Sequence, residues 1–165
     1  DNEMLRRISL WRMGGLDGAD NLRVGLLAVV TGAVVLVLVR QRRALNALLL
    51  GESEARHLGV DVQGLQRTVI VCVALGMGVA VAAAGTIAFI GLVVPHMVRM
   101  LVGPDHRYVL PLSGFAGATL LVLADTFARS LIAPTELPVG LVTAFIGAPV
   151  FISLLRQRRY QGIGG

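Results

Sequence analysis

Apolar residues in this chain gather into runs far longer than a strand's alternation or the one-sided stripe of a surface helix. Leu22 to Val39 is the first (22–39), closed by Arg40-Gln41-Arg42-Arg43. Thr68 to Val102 is a run of 35 residues, too long for one crossing of a bilayer core that asks for roughly 17–25. It divides near Ala84-Gly85 into two short spans, 68–84 and 85–102. Val109 to Ile132 (109–132) supplies a fourth span, and Val139 to Leu155 (139–155) a fifth, closed by Arg156-Gln157-Arg158-Arg159. The pattern predicts an all-α fold, a polytopic membrane helix bundle with about five transmembrane helices. Residues 1–21, 40–67, 103–108, 133–138 and 156–165 are the more polar ends and connections.

Composition agrees with a membrane class. Of 165 residues 55% are hydrophobic and 15% charged, where soluble domains run nearer a quarter charged. Mean hydropathy is +0.76. The 15 basic residues are all Arg and give a net charge of +5, but they cap the ends of apolar runs rather than forming one basic face. That distribution argues against nucleic acid and for topology determinants. Arg40, Arg42, Arg43, Arg56 and Arg67, the elbow at Arg107 and the C-terminal tail fall on one side when five spans alternate, and that side is expected to be cytoplasmic. Arg6, Arg7, Arg12 and Arg23 then fall outside, against the rule; a short packed helix over Met4 to Met13 would resolve the conflict. Cys72 is the lone cysteine and excludes a disulfide within the chain. The chain opens on Asp1 without an initiator Met or a signal peptide and reads as a fragment.

Candidate chemistry is sparse. Between Gly85 and Pro111 an apolar run is interrupted by Pro95, His96 and Arg99 and ends in the elbow Gly103-Pro104-Asp105-His106-Arg107. Asp105 is a candidate N-cap there. A Pro-His pair without a second His or Cys at ligand spacing is a weak metal signal, so Pro95 and His96 read as intramembrane structural residues and no metal is expected. Neither HExxH nor a Walker A sequence is present, so no catalytic residue, cofactor or ATP hydrolysis is assigned to this chain. Asp125 and Arg129, four apart, suit an i,i+4 pair, with Asp125 inside the bundle and Arg129 near the interface. Gly78/Ala82, Ala80/Ala84, Ser113/Gly117 and Gly114/Ala118 have the small-residue spacing of close helix contacts, or are simply common in membrane helices.

The link 40–67 is the most unusual polar piece. Gly51-Glu52-Ser53-Glu54-Ala55-Arg56-His57-Leu58-Gly59 predicts a short helix with acids in its first turn and Gly59 as a left-handed C-cap. Asp61 can then N-cap the next helix. Residues 51–64 would form a rigid knob, serving either as a docking element for a soluble partner or as an ordered loop.

MGGLDGAD (13–20), LLLGESEARHLGVDV (48–62), GTIAFIGLVVPHMVRMLVGPDHR (85–107), LADTFAR (123–129) and ELPVGLVTAFIGAPVFISLL (136–155) together resemble the FecCD-type permease family. These are membrane subunits of ATP-binding-cassette importers for iron-siderophores, haem and cobalamin, and the cobalamin importers' permeases are especially similar in pattern. The resemblance runs in order from about Trp11 to Leu155, and implies the C-terminal half of a ten-helix permease in a bacterial inner membrane. It implies that residues 51–64 are coupling helices seated on an ABC ATPase subunit, with Glu52, Ala55, Arg56, Leu58 and Gly59 on matching positions. It implies that Arg129 meets the periplasmic substrate-binding protein at the external rim, with the role of Glu136 open. Further implied partners are a second permease copy or a homologous permease, the metal-chelate substrate and membrane lipid. A proton-coupled secondary transporter using Asp125 or His96 is the competing class.

Overall fold

The computed structural model describes residues 4, 14, 20–131 and 139–161, and every regular element among them is an α-helix. These are α1 (Asn21–Arg40), α2 (Arg42–Leu48), α3 (Glu52–His57), α4 (Val62–Ala84), α5 (Ile90–Val102), α6 (His106–Leu131) and α7 (Val139–Gln161). The protein is an all-α membrane bundle. α1, α4 and residues 106–130 of α6 are each long and apolar enough to cross a bilayer. α5, with 13 residues, and the apolar part of α7, Val139–Ser153, are shorter. The helix expected over Met4 to Met13 and the loop 133–138 with Glu136 lie outside the described residues, Met4 apart.

The span expected over 85–102 is helical only from Ile90 onward, and the reason is local. Gly85 ends α4 at φ 71°, its N–H bonded to the Val81 carbonyl at 2.8 Å. Phe89 then stands at φ 66°, a left-handed conformation that costs an L-residue about 1–2 kcal/mol. Its carbonyl accepts from the N–H groups of Leu92 and Val93 at 3.1 and 2.9 Å and so starts α5. Two glycines make room for this turn. A Cβ at Gly14 would come 2.6 Å from the Thr86 carbonyl oxygen, and one at Gly147 of α7 would meet Phe89 Cγ at 2.9 Å. One helical turn beyond Gly147, the Phe151 ring packs on that of Phe89 with centroids 6.2 Å apart.

The helices form two groups. α1 lies along α4, while α5, α6 and α7 pack together around Val94, Val98 and Val109, with Ile90 and Leu120 against them. The groups meet where α1 and α2 touch α6. α1 has no buried residue and α4 only three, Val62, Leu65 and Cys72, so broad apolar faces stay open. Among the small-residue pairs, Gly117 meets Ile90, where a Cβ would lie 3.7 Å from Cγ2. Gly78 and Gly114 have nothing within 4 Å among the described residues.

Candidate functional site

The knob between α1 and α4 is built by chain reversals that its glycines permit. Gly51 enters α3 at φ 109°, with Glu52 and Glu54 in the first turn. The helix ends in a complete Schellman motif: Gly59, at φ 81°, donates its N–H to the Arg56 carbonyl at 2.9 Å, and Val60 donates to Ala55 at 3.0 Å. Asp61 then caps α4, its side chain accepting from the Gly64 N–H at 3.1 Å. Gln66 donates to Glu52 at 3.0 Å and ties α3 to α4. Both caps stand where their sequence positions suggest.

The residues on the expected coupling-helix positions divide by exposure. Glu52 and Arg56 stand 3.5 Å apart as an exposed i,i+4 pair, and Gly59 is exposed. Leu58 is 65% exposed although apolar. Ala55 is fully buried and packs the knob from inside, with Val62 and Leu65 also buried. Its effect on any partner is therefore through the shape of the knob, not contact. Leu49 and Leu50, 51% and 66% exposed, were not singled out from sequence, though the run Leu48-Leu49-Leu50 before a polar segment was the available signal. A cleft of about 680 Å³ opens between α2 and the α3–α4 corner, lined by Gln41, Arg43, Ala44, Leu58 and Asp61 among others.

At the far end of α6, Arg129 Nε donates to Asp125 Oδ2 at 2.8 Å. The Asp125 side chain is 18% exposed and that of Arg129 47%, so the carboxylate holds a guanidinium that still reaches outward. From His106 to Arg129 the helix rises about 35 Å, which separates this pair from the knob by a membrane thickness. His96 is half-buried on α5 beside Pro95, which cannot donate to the Gly91 carbonyl. Neither joins the knob or the Arg129 pair. Among the described residues no three His, Cys, Asp or Glu side chains converge on a metal-sized site.

A bundle of apolar helices with a capped polar knob at one end is an architecture many transporters could use, so its relatives matter. The FecCD transport family model matches residues 1–157. The chain belongs to that family. It is 45% identical over 99% of its length to the hemin transport system permease protein HmuU of Yersinia pestis, of which it covers 49%. It is 45% identical over 94% of its length to the vitamin B12 import system permease protein BtuC of Vibrio vulnificus, of which it covers 46%. Among solved structures it is similar to an ABC transporter assigned to the metal-chelate type, in an inward-facing conformation. That likeness has a TM-score of 0.85 and 36% identity, over 94% of this chain and 50% of the other. The chain thus spans about half the length of the FecCD relatives it matches.

Proposed function

We propose that the chain is part of the transmembrane permease subunit of an ATP-binding-cassette importer carrying a metal chelate of the iron-siderophore, haem or cobalamin class. The observation that carries this reading is the knob: a short helix fixed at both ends, buttressed by Gln66, and presenting Leu58, Glu52 and Arg56 to solvent. Arg56 of the knob, its neighbours Arg40, Arg42 and Arg43, and Arg107 of the elbow support a cytoplasmic side for it, where a separate ATPase would grip it. An external binding protein would deliver substrate near Arg129, and a second permease copy or a homologous permease would complete the path in a bacterial inner membrane. The chain itself performs no covalent chemistry. Its work is a two-state tilt of packed helices driven through residues 51–64.

The reading predicts ATP-dependent, vanadate-sensitive uptake of a chelate by the permease containing this chain, reconstituted with its ATPase and binding protein. Competition among haem, cobalamin and a ferric siderophore then identifies the class. Uptake that ignores vanadate and follows a proton gradient would replace this reading with the proton-coupled one. The Asp125–Arg129 bond at 2.8 Å gives Asp125 a structural partner, while His96 is the other residue a proton route would use.

A further inference from the structure

We propose that Asn46 is a positioning residue for transport, making α6 move with the docking knob; this rests on the permease reading above. Asn46 lies on α2, ahead of the knob, and binds the start of α6 some sixty positions later in sequence. Its Nδ2 donates to Asp105 Oδ1 at 2.7 Å. Its Oδ1 accepts the backbone N–H of His106 at 2.9 Å and stands 2.8 Å from His106 Nδ1. The amide orientation is dictated: turned over, it would set oxygen against carboxylate and NH2 against N–H. Because Oδ1 has no proton to give, Nδ1 carries the hydrogen in that contact.

The first turn of α6 needs partners for its free N–H groups. Arg107 donates to the Asp105 side chain at 2.8 Å, and Tyr108 and Val109 donate to the Asp105 carbonyl at 3.1 and 3.0 Å. The N–H of His106 goes to Asn46. The cap of α6 is therefore assembled from two distant segments and is incomplete whenever α2 moves away alone. The Asp105 carboxyl is held below its usual range by the Arg107 N–H first and the Asn46 amide second. With the folded value lowered, the carboxylate's contribution is fully present above its ordinary range. It is lost only as pH falls through the lowered value, so the clasp is intact at neutral pH.

The position of this clasp gives it consequence. The group α1–α4 meets the group α5–α7 where α1 and α2 touch α6. Asn46 adds directional polar bonds to that joint. A displacement of α3 reaches α4 through Gln66 and reaches α2 through the turn at Leu49-Leu50. Asn46 then passes it to α6, and through the elbow Gly103-Pro104 to α5.

The test uses the complete permease with its ATPase and binding protein in proteoliposomes, reading chelate taken up per ATP hydrolysed. That ratio is independent of how much complex assembles. Asn46→Ala is expected to lower the ratio about five-fold or more, the range of ordinary coupling between sites. Asn46→Asp should lower it further, because two carboxylates then face each other. An unchanged ratio in both single variants overturns the proposal. An unmutated complex that transports no chelate would instead reject the permease reading itself.

Discussion

Gly59 shows how much one backbone angle decides. At φ 81°, with open space where a Cβ would go, Gly59→Ala meets no clash and carries only the left-handed penalty of about 1–2 kcal/mol. Gly59→Pro can neither reach that angle nor donate to Arg56, so the end of α3 unwinds. Uptake per ATP should therefore rank unmutated, then Gly59→Ala, then Gly59→Pro, the last hydrolysing ATP with little transport. Equal ratios in all three would show that the knob need not be rigid. Gly59 and Asp61 were legible from sequence because a cap is written within a few residues of the helix end it closes. The Asp125–Arg129 pair was legible for the same reason, four positions apart on one helix. That Ala55 is buried was not legible, since a side chain of one carbon says nothing about which way a six-residue helix rolls. Asn46 was invisible, because its partners are close in space and far along the chain.

Among the elements, α5 departs most from its sequence reading, which ran one span over 85–102. The stretch Gly85-Thr86-Ile87-Ala88-Phe89 holds no proline, and its apolar content continues the hydropathy run without a gap. The break depends on Gly147, 58 positions later, which leaves room for the left-handed Phe89. With about 20 Å of helix in α5, the extended stretch falls within the depth of a bilayer if Gly103 reaches one surface. Irregular backbone at that depth needs protein around it, and Gly14 and Phe151 supply part of that wall. Gly147→Ala is expected to destabilise the detergent-solubilised complex by about 1–3 kcal/mol, the usual cost of overpacking, seen as a lower thermal midpoint. In a Phe89→Gly background, which lacks the ring that Gly147 makes room for, the same substitution should cost little. If Gly147→Ala melts with the unmutated protein, the turn at Phe89 does not depend on this contact.

On the scale of the whole molecule, hydropathy announced a helical membrane bundle but not which faces meet. Lipid-facing and protein-facing positions are both apolar, so α1, with no buried residue, and α4, with three, look alike in sequence. What the assembled helices add is a polarity of ends: the knob and the Asn46 clasp at one, the Asp125–Arg129 pair at the other, about 35 Å apart along α6. On the permease reading, a cation at the far rim steers the binding protein. Asp125 fixes where that cation points. Arg129→Glu reverses the charge and sets it beside Asp125, so the association rate of the binding protein should fall roughly ten-fold, with a shallower dependence on salt. Asp125→Asn keeps the cation and loosens only its aim, so it should lower the rate less and leave the salt dependence nearly intact. Surface-immobilised complex, titrated with binding protein at several ionic strengths, separates the two. Rates and salt slopes identical in Arg129→Glu and the unmutated complex would place the docking surface elsewhere, while leaving the knob's role at the opposite end untouched.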